Sequence, residues 1–114
     1  MNPARPEVLQ GTLDLMILKA LDALGPLHGF GIARRLEQVS GDLLHLNEGT
    51  VYTAVLRLSQ RGWITSRWGV SELNRKARYY AITRAGKRQL AREEQSWQQI
   101  AGVVNRVLRL APEE

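Results

Sequence analysis

The chain has 114 residues, 44% of them hydrophobic, with a formal net charge of +5 and no cysteine. That length and apolar share suit one compact domain with a real core, which excludes two ordinary domains and global disorder. Disulfide frameworks and thiolate metal sites are excluded by the missing cysteines, and no apolar run reaches the roughly 18 to 20 residues of a membrane span.

The charge is one-sided. Residues 57–92 hold ten of the sixteen basic side chains and one of the eleven acids, Glu72, so that window is +9 while 1–56 and 93–114 are each −2. Arginine outnumbers lysine there, and its planar fork suits phosphate oxygens. A basic block of this kind in a small domain points to a polyanion, most simply nucleic acid; scattered solvated cations are the plainer alternative.

The opening MNPARPEVLQ carries neither a long apolar segment nor a small-residue cleavage site, so a cytoplasmic protein without a membrane partner is expected. Residues 1–8 read as a flexible arm. Residues 9–24, LQGTLDLMILKALDAL, predict a helix with Leu9, Leu13, Met16, Ile17, Ala20, Leu21 and Leu24 on one face. Thr12 is its expected N-cap and Gly25-Pro26 its stop. Leu15 and Leu18 fall on the opposite side among Asp14, Lys19 and Asp22, as surface leucines or as part of a subunit interface.

A second helix is predicted in HGFGIARRLEQVSGD, with Ile32, Leu36 and Val39 inward, Arg34, Arg35, Glu37 and Gln38 outward, and Gly41 as its end. Residues 43–46, LLHL, form a packed connector. Asn47 caps a third helix whose inner stripe is Val51, Ala54, Val55 and Leu58, closed by Gly62. Its outer row, Thr50, Thr53, Arg57 and Gln60, is sparing with charge and rich in groups that donate and accept hydrogen bonds.

The period then changes to two. WITSRWG and ARYYAI predict a hairpin, with GVSELNRK as its basic tip. Trp63 and Trp68 are expected to pack. Thr83 caps a last helix from Arg84 to about Leu110, in which Leu90, Trp97 and Val104 recur every seven residues and Ile100, Ala101, Val107 and Leu108 fill the seam. At about 39 Å such a helix outruns a small core, so its far half calls for a second copy of the chain, most economically as a two-fold homodimer.

Chemistry that would mark an enzyme is missing from the pattern. His28 and His45 lack partners at ligand spacing, Gly29 and Gly31 complete no phosphate fingerprint, and no nucleophile–base pair or carboxylate dyad stands out. No catalytic residue, metal or cofactor is expected.

Three helices followed by a basic-tipped hairpin make the fold class mainly α (α+β): a winged helix-turn-helix over 9–83 with a C-terminal dimerisation helix over 84–110 and a tail at 111–114. In this architecture the third helix enters the major groove of duplex DNA, where base edges offer donors and acceptors and carboxylates would be repelled. Thr50, Thr53, Arg57 and Gln60 are the candidate readers. Arg75, Lys76 and Arg78 are candidate phosphate contacts, joined by Arg67 across the hairpin and Arg34 from the second helix. Arg84, Lys87, Arg88 and Arg92 either join them or solubilise the last helix. An RNA- or ribosome-binding winged helix and a protein-interaction winged helix remain alternatives.

The strings LQGTLDLMILKAL, GPLHGFGIARRL, NEGTVYTAVLRL, RGWI, RWG and RKARYYAITRAGKRQL, in that order over residues 8 to about 100, resemble the PadR-type transcriptional regulators, in the short form with a single C-terminal helix. The resemblance implies a homodimeric repressor released from operator DNA by a small molecule or other signal. It places Tyr52 at the DNA boundary, as a phosphate contact or a packing residue with a wet tip. Trp97 either fills the dimer core or, as in similar multidrug-binding members, stacks an aromatic or drug-like effector between subunits. Two positions depart from the family pattern: Thr53 stands where proline is common, and Leu73 where a polar residue is more usual.

Overall fold

The computed structural model describes residues 10–113 and contains α1 (Gln10–Leu24), β1 (Leu27–His28), α2 (Gly29–Val39), α3 (Glu48–Gln60), β2 (Ile64–Val70), β3 (Lys76–Ile82) and α4 (Arg84–Leu108). The expected arm at 1–8, Leu9 and the last tail residue lie outside the described residues. The fold is a mainly α winged helix: three helices, a hairpin and a long terminal helix.

Local chemistry sets the boundaries. Gly25 and Gly62, at φ +81° and +76°, end α1 and α3 in the left-handed region that glycine enters without a Cβ penalty. After α3 the Trp63 N–H donates to the Leu58 carbonyl at 3.1 Å, closing the turn back onto the helix. Asn47 caps α3, its side chain accepting from the Thr50 N–H at 2.7 Å. Thr83 caps α4 by accepting from the Gly86 N–H at 3.0 Å, while its own hydroxyl donates to the Gly62 carbonyl at 2.7 Å. One threonine therefore ties the end of α3 to the start of α4. Thr12, by contrast, lies inside α1.

The hairpin register runs from Ile64↔Ile82 to Val70↔Lys76, so Ile64, Ser66, Trp68 and Val70 share a face with Ile82, Tyr80, Arg78 and Lys76. Ile64 and Tyr80 bury the base of that face in the core, and its tip projects beyond it. A third strand, β1, pairs Leu27 with Tyr80 and His28 with Tyr79, giving the order β1-β3-β2 rather than the two-stranded wing expected. Two residues are too few to show an alternating pattern.

The core joins Ile17, Leu18 and Leu21 of α1, Ile32 of α2, and Val51, Val55 and Leu58 of α3. α1 is covered from several sides, by α2 and α3 and by β3 and α4. That placement overturns the single-face reading of α1. Leu18 is 0% exposed within one chain and Leu15 packs against the core half-buried, so Leu18 has no surface left for a subunit interface. Leu24 faces solvent instead. In α2 the third inward position is Ala33, and Val39, at the end of the helix, is 84% exposed. Leu46 of the connector packs on the core, whereas Leu43 is exposed.

α4 spans 25 residues, about 37 Å at 1.5 Å per residue. Only its first turns touch the core. Gly86 lies so close to the residue preceding β2 that a Cβ there would sit 2.0 Å from the Trp63 carbonyl oxygen. Leu90 is buried within the chain, and Lys87 reaches Asp22 of α1 at 3.8 Å. Beyond Leu90 the described helix buries no side chain.

Candidate nucleic-acid interface

The inner stripe of α3, Val51, Ala54, Val55 and Leu58, is buried, which forces Thr50, Tyr52, Thr53, Leu56 and Gln60 outward. The exposed Leu56 was not singled out from the sequence, where a row of polar residues masked it. Beside this helix the wing presents Lys76 and Arg78 on the face that continues from the core. Between the two lies an open groove of about 830 Å³, lined by Tyr52 and Val55 of α3, Phe30 at the start of α2, and Leu73, Arg75 and Arg78 of the wing. From α3 the groove takes Glu48, Gly49, Tyr52 and Val55, opposite Arg75, Lys76 and Arg78 of the wing; Thr50, Thr53 and Gln60 lie outside its lining.

Arg57 departs from the expected reading row. Its guanidinium turns inward and grips the Asp14 carboxylate of α1, with Nε donating to Oδ2 at 3.1 Å and Nη2 donating to Oδ1. Both side chains are mostly covered, at 20% and 11% exposure. Hydrogen bonding to Asp14 raises the Arg57 pKa above its ordinary value, against the opposing effect of burial. With the Nε–Nη2 edge of its fork committed to a carboxylate, Arg57 is a structural tie between α1 and α3. Asp14, a buried acid in a helix otherwise read as apolar on one side, was the available signal.

The wing's cations also separate. Arg67 pairs in register with Tyr79, which puts it on the opposite sheet face from Lys76 and Arg78 rather than beside them. Arg75 is exposed in the turn, whose chain reversal is held by the Ser71 N–H donating to the Arg75 carbonyl at 2.8 Å. Arg78 donates from Nη1 to the Ser66 hydroxyl at 3.3 Å. Trp68 is no packing residue: it is 56% exposed, with the Lys76 ammonium 4.7 Å and the Arg78 guanidinium carbon 4.9 Å from its ring centroid. Arg34 is exposed on α2 beside a smaller depression that also includes Arg35, His28 and Tyr79.

His28 has a structural place. Its Nδ1 accepts from the Gly31 N–H at 2.9 Å, capping α2, and its ring meets Tyr79 edge-on at a 5.3 Å centroid distance. That cap leaves Nε2 to face the Glu72 carboxylate at 3.6 Å. Hydrogen bonding from its own backbone amide, with the nearby His28 in support, lowers the Glu72 pKa below the usual carboxylate value. The one acid of the +9 window thus faces His28, while it shares the groove with Lys76 and Arg78.

The α4 candidates divide in two. Leu90 belongs to the core of its own chain and is withdrawn from the interface set. Trp97, Ile100, Val104, Val107 and Leu108 are exposed, Trp97 at 50%, with Val103 and Leu110 alongside and Ala101 half-covered. Among the described residues no helix is long and apolar enough to cross a membrane.

Residues 17–92 match the transcriptional regulator PadR-like family. A crystal structure of a PadR family transcription regulator from Clostridium difficile is 31% identical, covering 84% of this chain and 97% of that one, with a TM-score of 0.71. The PadR-like transcriptional regulator of Bacillus cereus is 27% identical over 93% of this chain and all of the other, with a TM-score of 0.78. An uncharacterized 37.1 kDa protein in a Streptomyces fradiae transposon is 37% identical over 91 residues; the chain covers 80% of itself in that match and 24% of the longer protein.

Proposed function

The chain belongs to the PadR-like transcriptional regulator family, and from that premise we propose that it works as a homodimeric repressor on a palindromic DNA operator. In this reading residues 9–83 carry DNA and residues 84–110 carry the second subunit. The observation that carries it is the exposure of an uncharged, hydrogen-bonding row on α3, Thr50, Thr53 and Gln60, in the same winged helix whose wing exposes Arg75, Lys76 and Arg78.

Thr50, Thr53 and Gln60 enter the major groove, where hydroxyls and an amide meet base edges without the repulsion a carboxylate would suffer. Tyr52 at the groove wall donates to a phosphate. Arg75, Lys76 and Arg78 neutralise phosphates along the wing, and Arg34 does so from α2. The exposed apolar face of α4 supports the pairing of two copies, since an amphipathic helix of that length in water would otherwise leave Trp97, Ile100 and Val104 wet. Pairing would set the two reading helices in successive major grooves about 34 to 36 Å apart.

Two Trp97 rings, one from each chain, would flank a space suited to a flat aromatic or drug-like effector. Such a ligand acts by changing the distance between the reading helices through α4. A footprint on the DNA upstream of the protein's own coding region, repeated with and without aromatic effectors, tests this reading. Protection of two symmetric half-sites one turn apart supports it, and no protection at any salt concentration refutes it.

A further inference from the structure

Trp68 is a large aromatic side chain held out of the core at the tip-ward end of a strand, where core packing gives it no task. Its surroundings define one. It stands directly across from Arg78, and Lys76 lies diagonally across on the same face, paired with Val70. Both cations come within 5 Å of the ring centroid, inside the range at which the negative π face attracts positive charge. Arg78 is held a second time by the Ser66 hydroxyl, two residues before Trp68 on the same face.

Among the described residues no carboxylate forms an ion pair with Lys76 or Arg78. Glu72, the sole acid of the basic window, is turned toward His28. A carboxylate partner would also cancel the charge that a phosphate needs, whereas an indole restrains a cation and leaves its charge intact. Two neighbouring cations repel one another, and long side chains of this kind lose rotamer freedom when they dock. A π face between strands addresses both at once.

We propose that Trp68 is a positioning residue of the wing, holding Lys76 and Arg78 preorganised for the DNA backbone without contributing charge of its own. The inference rests on the DNA-binding reading above. It concerns an indole acting through two cations.

The test is fluorescence anisotropy with a fluorescein-labelled, mixed-sequence DNA duplex, titrated over a series of salt concentrations, on the full chain and three variants. Trp68→Leu keeps apolar bulk and removes the π face; affinity is expected to fall about tenfold at every salt concentration, with the salt dependence of the wild type. Trp68→Phe keeps a π face and is expected to bind within about twofold of the wild type. Arg78→Ala removes a charge and is expected to flatten the slope of log affinity against log salt by about 0.9.

Wild-type affinity in Trp68→Leu would overturn the proposal, as would equal losses in the Leu and Phe variants, which would mark a direct indole contact. A flattened slope in Trp68→Leu matching that of Arg78→Ala would overturn it too. A wild type that binds no duplex at low salt would instead refute the DNA-binding reading, and this inference with it. Circular dichroism and thermal midpoints of the variants confirm that the wing is folded in each comparison.

Discussion

Arg57 of α3 and Asp14 of α1, 43 residues apart in sequence, form a two-pronged ion pair that is largely withdrawn from solvent. The helix proposed to read DNA is thereby fixed to the first helix by charge as well as by packing. Removing either partner strands the other against apolar neighbours. Asp14→Ala and Arg57→Ala are each expected to lower unfolding free energy by about 2 kcal/mol, and the double variant by much less than the sum. Urea titrations of the four proteins check this. Arg57→Ala should also leave the salt slope of DNA binding unchanged, since the guanidinium faces Asp14 rather than phosphate.

Gly86 has no room for a methyl group. The nearest obstacle is a backbone carbonyl, that of Trp63, which cannot rotate aside as a side chain would. Gly86→Ala is expected to cost about 3 kcal/mol or to displace the start of α4, despite alanine's better helix propensity. Gly102, whose added Cβ would meet nothing nearer than the end of Arg106 at 3.9 Å, is the internal control. Gly102→Ala should be neutral or stabilising by up to about 1 kcal/mol, and thermal melts of both variants beside the wild type check the contrast.

Leu18 and Val104 separate core from interface. Leu18→Ala should lower stability by about 3 kcal/mol through the cavity it leaves, without weakening self-association of the folded chain. Val104→Asp places a charge on the exposed apolar face of α4 and should dissociate the assembly while leaving the winged helix folded. Sedimentation at several protein concentrations, paired with thermal melts, distinguishes the two effects.

Tyr80 sets an alkaline limit. Burial raises its pKa above the ordinary tyrosine value, with nearby Arg78 opposing and Tyr52 adding to the rise. Below about pH 10 the phenol is protonated in both folded and unfolded chains and contributes no pH dependence. Above it the unfolded chain ionises first, so stability falls as pH rises until the folded phenol also loses its proton. Tyr80→Phe should flatten that limb in urea titrations between neutral and strongly alkaline pH.

The wing and α3 should differ in what their loss does to DNA binding. Thr53→Ala is expected to reduce discrimination between operator and altered sites by about 1 kcal/mol while leaving the salt slope intact. Arg75→Ala is expected to weaken all duplexes alike and flatten the slope by about 0.9. Competition titrations with operator and scrambled duplexes separate the two.

Much of this fold was legible in the chain because its signals are local. Asn47 and Thr83 sit where caps are wanted, Gly25 and Gly62 where helices must stop, and the switch from period 3.6 to period 2 at Trp63 marks the wing. What stayed hidden depends on partners distant in sequence. Leu18 reads as a surface residue when α1 is assumed to bury one face, and only its enclosure by α2, α3, β3 and α4 shows otherwise. Arg57 continues the outer row of α3 by spacing, and the acid that turns it inward lies 43 residues earlier. The placing of Trp68 with Arg78 required the hairpin register, which the tip alone does not specify. The same register sends Arg67 to the other face.

Sedimentation of the purified protein, alone and mixed with the footprinted duplex, bears most directly on the proposal of two paired winged helices on DNA. The expected result is a species of twice the 12.9 kDa chain mass that joins the duplex as one intact pair. A 12.9 kDa species at micromolar concentration that leaves the duplex unbound would contradict it.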